Sequence, residues 1–147
     1  HRILEGLMTS RDFPFKILAS DISDEAIETA RHNISRALLD DLIEVQTSDF
    51  FDLRSAESKG FLIMNPPYGE RMKENEITSL YSRIGDHLKS EFKGYQAWVL
   101  TSNEKAVSSI GLHADKKIKL FNGKLPCKYL KFDIFEGKRK HYLSKNA

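Results

Sequence analysis

The sequence predicts an α/β domain: a parallel sheet interleaved with helices and closed by an antiparallel hairpin. Three observations predict it. Short apolar runs recur at 16–21, 42–46, 61–64 and 97–100, each the length of a strand. Between them lie stretches with apolar residues at helical spacing, the pattern of βαβ units. Near the end, two alternating runs flank Asn122-Gly123, a hairpin signal.

Ile3, Leu4, Leu7 and Met8 are spaced as one face of a short helix, and 11–14 reads as a loop. The strand at 16–21 ends in the carboxylate Asp21. Ser23 can cap the next helix, with Asp24 and Glu25 in its first turn, and Ala26, Ile27, Ala30, Ile34, Ala37 and Leu38 continue it. An acid at a strand tip in such a unit can accept hydrogen bonds from both hydroxyls of a ribose. Equally, Asp21 can simply favour the positive end of the helix that Ser23 caps. The strand at 42–46 leads to Ser48-Asp49-Phe50-Phe51, where Asp49 can form an Asx turn and the phenylalanines can enter the core. Residues 52–60 form a polar connector.

Phe61-Leu62-Ile63-Met64 reads as a buried strand that stops abruptly at Asn65-Pro66-Pro67-Tyr68. A proline has no N–H for a central ladder and keeps the preceding residue extended, so the strand ends in a stiff loop. In open α/β sheets that is where ligands bind. The tetrad suits one chemistry. An exocyclic amine of a nucleobase is a poor nucleophile because its lone pair is delocalised into the ring. The Asn65 oxygen and the Pro66 carbonyl can accept its two hydrogens while its nitrogen pyramidalises, and Tyr68 offers a stacking face. The competing reading is a plain Pro-Pro turn after a strand. Gly69 permits a tight or positive-φ turn. Arg71 suits either an RNA phosphate or an ion pair with Glu70 or another neighbour.

Ile77, Leu80, Tyr81, Ile84, Leu88 and Phe92 form a helical core stripe, closed by Lys93-Gly94. A strand at 97–100 follows. Thr101-Ser102-Asn103 starts a short helix to about residue 110. His113 reads as a surface or packing residue. Residues 117–121 and 128–135 pair as the hairpin, with Leu130, Phe132 and Ile134 on one face, and 137–140 is a basic, frayed tail.

The tetrad resembles the catalytic motif of amino-group methyltransferases that use S-adenosylmethionine. The longer run Asn65-Pro66-Pro67-Tyr68-Gly69-Glu70-Arg71 resembles the 23S ribosomal RNA guanine-N2-methyltransferases that carry a THUMP domain upstream. The resemblance implies a Rossmann-like class I methyltransferase sheet closed by the C-terminal antiparallel pair. It implies catalytic roles for Asn65, Pro66, Pro67 and Tyr68. Asp21 becomes the ribose-binding acid with Ile22 beside it, Asp49 the acceptor for the adenine amine, and Phe50 the residue packed on the adenine ring. S-adenosylmethionine is the implied cofactor, ribosomal RNA the partner, and the cytoplasm the location.

Composition limits the alternatives. With 147 residues the chain can form one domain with a real core, and no apolar run approaches the roughly 20 residues that span a bilayer. The single cysteine, Cys127, excludes an internal disulfide framework, suits a reducing compartment and reads as a small buried residue. Five scattered histidines and one cysteine give no metal-ligand spacing, so no metal is expected. Net charge is only +2, but residues 115–147 hold 10 of 23 Lys and Arg against 3 of 21 Asp and Glu. Such a basic segment suits phosphate or a solvated strand face.

No Gly-x-Gly occurs among the eight glycines. The family's first strand and its glycine-rich loop, which lets the backbone approach the methionine end of the cofactor, are therefore not matched. Residues 1–147 are expected to be the C-terminal part of one methyltransferase domain, a fragment of a longer chain, unless 1–15 rebuilds the sheet edge; in either case cofactor binding and activity of this piece alone stay open. Two other functions stay open: an adenine-N6 methyltransferase of DNA or RNA, which uses the same tetrad, and a non-catalytic nucleic-acid-binding module. A dinucleotide oxidoreductase fits Asp21 but leaves the tetrad without a purpose. Oligomeric state is not legible.

Overall fold

The computed structural model describes residues 14–69 and 72–137, and the chain divides into two units, residues 1–53 and 54–147. The expected helix at 3–8, Glu70-Arg71 and the basic tail beyond Gly137 lie outside the described residues.

In the first unit, β1 (Ile17–Asp21) and β2 (Ile43–Thr47) pair in parallel, from Ile17 opposite Ile43 to Asp21 opposite Thr47. The crossover between them is α1 (Asp24–Arg36). Ser23 caps it, as its side chain implied: the backbone there is extended and Oγ accepts the Ala26 N–H at 3.2 Å. The helix ends at Ala37, and Leu38 takes a left-handed φ of 56° while its N–H still donates to the Ser35 carbonyl at 3.0 Å. Ile27 on α1 is the one buried residue among the described residues of this unit.

In the second unit, β3 (Gly60–Met64), β4 (Tyr95–Thr101), β5 (Lys116–Asn122) and β6 (Leu125–Asp133) form one sheet in the order β3-β4-β6-β5. β3 runs parallel to β4, and the β4–β6 and β6–β5 pairs are antiparallel. The long helix α2 (Glu74–Glu91) joins β3 to β4. The short α3 (Glu104–Val107) and a 3-10 turn (Ser108–Ile110) follow β4. The core takes Ile77, Tyr81, Ile84 and Leu88 from α2, Ala97 and Val99 from β4, and Leu130 and Phe132 from β6. Ala97 pairs with Phe132 and Val99 with Leu130, so these four share one face. On the opposite face Trp98 stacks on Tyr129, centroids 4.8 Å apart at 28°. Each fully buried large side chain contributes about 1.5–3 kcal/mol, so the stability of the described residues resides mainly in this unit.

The α/β class, the element order and the closing hairpin agree with the expectation from sequence. Three local features differ. Phe61 and Ile63 are 75% and 71% exposed although their run reads as buried. β3 is an edge strand, and their face is covered by none of the described residues. The hairpin turn falls one residue later than Asn122-Gly123. Asn122 pairs with Leu125, and Gly123-Lys124 form the loop with φ positive at the glycine alone, the signature of a type II′ turn. The strand expected at 97–100 extends to Tyr95–Thr101.

Candidate functional site

β1 and β2 end side by side, and their C-terminal tips carry the four residues expected to hold a cofactor. The Ser48 N–H donates to the Asp21 carbonyl at 2.9 Å, tying the loop after β2 to the tip of β1. Asp21 Oδ1 accepts the Ser23 N–H at 2.8 Å, so one carboxylate oxygen supports the helix start and the other faces solvent. Ile22, beside it, is 72% exposed. Asp49 forms the Asx turn its sequence allows: Oδ1 accepts the Phe51 N–H at 2.9 Å and caps the 3-10 turn at Phe50–Asp52. Phe50 and Phe51 meet edge to face, centroids 5.5 Å apart, and both are half-buried, so Phe51 is not the full core residue expected. Both acids thus keep an oxygen for a ligand while the local turn fixes the other. That set of acceptors suits an adenosine, with oxygens for ribose hydroxyls and an exocyclic amine and an aromatic ring alongside.

In the second unit the tetrad leaves the C-terminal end of β3. Asn65 and Pro67 are exposed, Pro66 and Tyr68 half-buried. The Tyr68 hydroxyl donates to Asn65 Oδ1 at 2.5 Å. Burial pushes the Tyr68 phenol above its ordinary pKa; the Asn122 side chain hydrogen-bonds to it and works the other way, and Cys127 beside it adds to the rise. Gly69 then takes φ +94°, and a Cβ there would lie 3.3 Å from Ile77 and 3.4 Å from Asn103. A side chain would be strained in the backbone and crowded at once.

Three further residues hold the loop. The Tyr81 hydroxyl, on α2, donates to the Pro67 carbonyl at 3.2 Å and lies 2.6 Å from Thr101 Oγ1. Asn103 donates from Nδ2 to the Tyr68 carbonyl at 3.0 Å, while its Oδ1 caps α3 by accepting the Ala106 N–H. The Asn103 N–H donates to Thr101 Oγ1 at 3.1 Å. Burial raises the Tyr81 pKa, with the Thr101 hydrogen bond acting against it. None of the three was expected from sequence. Tyr81 reads there as one more member of the apolar stripe, and Thr101-Ser102-Asn103 as a helix start. The available signals were slight: one hydroxyl in an otherwise aliphatic row, and a threonine closing Ala97-Trp98-Val99-Leu100. Cys127 is buried as expected, with Asn122 at the hairpin end of the same neighbourhood.

Beyond the loop, the Lys128 ammonium bonds Glu104 at 2.7 Å and holds its carboxyl below the usual range, with Lys117 and Lys119 adding to the effect. The hairpin thus turns three lysines towards the residues that follow β4. Because β3, β4 and β5 run in one direction, their C-terminal ends bring the tetrad, the Asn103 cap and Asn122 to one edge of the sheet. The edge presents the exposed Asn65 and the half-buried Pro66 beside the Tyr68 ring.

Comparison with known proteins bears on the family and the fold. Residues 5–131 match the family model described as RMKL-like, methyltransferase domain. The ribosomal RNA large subunit methyltransferase K/L of Shewanella frigidimarina is 43% identical over 115 residues, covering 78% of this chain and 16% of that protein. Its namesake in Syntrophotalea carbinolica is 41% identical over 125 residues, covering 82% and 18%. Among solved structures, SMU.472, described as a methyltransferase and complexed with SAH, superposes with a TM-score of 0.80 at 28% identity. That match covers 93% of this chain and 36% of SMU.472. The chain spans about a sixth of the length of these curated relatives. A parallel β-α-β start, an antiparallel close, the tetrad at a strand end and the matched model lead to one conclusion: the chain belongs to the RMKL-like methyltransferase domain family.

Proposed function

We propose that this chain is part of an S-adenosylmethionine-dependent methyltransferase that modifies the exocyclic N2 amine of a guanine in large-subunit ribosomal RNA, in the cytoplasm. One observation carries the reading: Asn65 and Pro66 stand exposed or half-exposed at the end of β3, next to the Tyr68 ring, at the C-terminal edge of the sheet. Family membership and the rRNA methyltransferases among its relatives support RNA as the substrate. The Gly69-Glu70-Arg71 extension supports guanine over adenine.

S-adenosylmethionine, when bound, supplies a methyl group already activated by the sulfonium charge. This chain's residues supply the rest. Asp21 and Ile22 at the tip of β1 take the ribose, and Asp49 with Phe50 takes the adenine. A target base leaves its helix, at a cost of a few kcal/mol, and stacks on Tyr68. Asn65 Oδ1 and the Pro66 carbonyl accept the two amine hydrogens, so the nitrogen lone pair becomes free to attack. Alignment provides much of the rate. The amine proton is lost after transfer, and none of the tetrad residues is a strong base. The exposed apolar residues of each unit, Ile17 and Leu18 on β1 in the first and Phe61 and Ile63 on β3 in the second, support the further proposal that residues 1–147 are the later part of one methyltransferase domain.

The test is methyl transfer from labelled S-adenosylmethionine to large-subunit rRNA by the natural polypeptide that carries this sequence, followed by nucleoside analysis. N2-methylguanosine is expected. Asn65→Ala should lower kcat by about 10²–10³-fold, the usual effect of losing one preorganised polar group, with affinity for the demethylated cofactor retained. N6-methyladenosine as the product would transfer the assignment to adenine, and an unlabelled RNA would end the methyltransferase reading of this site.

A further inference from the structure

Tyr81, Thr101 and Asn103 touch neither the substrate nor the cofactor in the proposed reaction, yet each places a polar group where packing alone would accept an apolar one. Tyr81 is 0% and Thr101 1% exposed. Buried hydroxyls are retained where they find partners, and here the partners have a direction. Tyr81 has one hydroxyl hydrogen and gives it to the Pro67 carbonyl. Thr101 therefore donates to Tyr81, and in turn accepts the Asn103 N–H. Asn103 Oδ1 is occupied by the Ala106 N–H, which fixes its amide and turns Nδ2 to the Tyr68 carbonyl. Donors thus converge on two consecutive carbonyls of the tetrad.

The sequence of the loop explains why they are needed. Pro66 and Pro67 have no N–H, so the middle of this loop cannot be anchored through its own donors. Only its carbonyls can be held, and the donors must come from other elements. Tyr81 comes from α2 and Asn103 from the turn after β4, so the loop is fixed against the helix layer and the sheet at once. We propose that Tyr81, Thr101 and Asn103 are positioning residues that clamp the Pro67 and Tyr68 carbonyls and so aim Asn65 Oδ1 and the Pro66 carbonyl at the acceptor amine. The proposal rests on the methyltransferase reading of the tetrad. It leaves the two proposed acceptor oxygens outside the clamp, which is what a reaction that needs them requires.

The test uses Tyr81→Phe and Asn103→Asp in the natural polypeptide. Tyr81→Phe removes only the hydroxyl. Asn103→Asp keeps the cap on Ala106 and replaces the donor facing the Tyr68 carbonyl by an acceptor. Hydrogen exchange is read at the Tyr68 and Gly69 amides and at the amides of β4. Methyl transfer and affinity for the demethylated cofactor are read on the same proteins. Both variants should speed exchange in the loop about tenfold with β4 unchanged, and lower kcat by about 10–100-fold, the penalty of an ångström-scale misplacement. Cofactor affinity should stay within about twofold, and Thr101→Ser, which keeps the hydroxyl, should retain most of kcat where Thr101→Val does not. Unchanged loop exchange in both variants overturns the clamp, as does faster exchange that spreads through β4. A loosened loop with unchanged kcat overturns the positioning role. A wild-type protein that transfers no methyl group, with a loop that still loosens, rejects the proposed reaction and leaves the clamp supported.

Discussion

Tyr68 donates its only hydroxyl hydrogen to Asn65 Oδ1, an atom proposed to receive the substrate amine. An amide oxygen has two lone pairs, so this bond orients the carboxamide without exhausting it. Tyr81 plays the opposite part: it is wholly buried and holds the loop from beneath. Its raised pKa has a consequence for stability. A phenol whose folded pKa lies above the unfolded value, about 10, favours folding fully below that pH. Its contribution is lost as pH rises through the higher folded value, because tyrosinate can no longer donate to Pro67. The melting-temperature difference between wild type and Tyr81→Phe should therefore be constant to about pH 9 and move against wild type above about pH 10; a difference that stays flat would show that Tyr81 ionises equally well folded and unfolded. At this scale the sequence was legible where covalent structure restricts the backbone: the two prolines end β3 at Met64, as their missing N–H groups implied. Tyr81 and Thr101 were not legible, because a hydroxyl at one place in an apolar row gives no hint of where it points.

Among elements, α2 illustrates how closely packing is set. A Cβ on Gly85 would lie 1.8 Å from the backbone carbonyl oxygen of Ile110, in the 3-10 turn after α3. No rotamer change relieves a clash with backbone, so helix and turn must separate. Gly85→Ala gains about 1 kcal/mol of helix propensity and incurs overpacking of about 1–3 kcal/mol or more. Chemical denaturation should show a lower midpoint, and a higher one would mean that the turn yields freely. Strand existence and order were read more accurately than strand environment, although the second hairpin strand, read as 128–135, runs from Leu125 to Asp133. Ser23, Asn103 and Gly94 mark element ends through their own chemistry, and all three appear as such. Phe61 and Ile63 were misjudged because an all-apolar run looks the same whether both faces or one is covered. The hairpin slipped by one residue because Asn-Gly and Gly-Lys both make favourable two-residue turns. The Asn122–Leu125 pair decides between them, and it leaves Asn122 near Tyr68.

For the whole molecule, charge is the property that sequence and structure share most plainly. The net charge is small, yet Lys117, Lys119 and Lys128 gather around Glu104 near the proposed site. If RNA is the partner, its affinity should fall linearly with the logarithm of salt concentration. Replacing Lys117 and Lys119 by Gln should lower that slope by about 0.7–0.9 for each phosphate these lysines neutralise, measured by filter binding over a salt series. An unchanged slope would remove this face from the RNA footprint. Fold class and order of elements were legible because helical and strand periods alternate cleanly along the chain. Which apolar faces are covered depends on partners that no periodicity encodes.

The one tryptophan gives these units an optical label. Trp98 sits on β4, the strand at which the sheet changes from parallel to antiparallel pairing, with Tyr129 stacked against it. Residues 1–53 contain neither tryptophan nor tyrosine. Near-ultraviolet dichroism and indole emission therefore report the second unit almost alone, while far-ultraviolet dichroism includes α1. Coincident melts at the two wavelengths would mean that the units cooperate. Separate melts would let each be followed by its own colour of light.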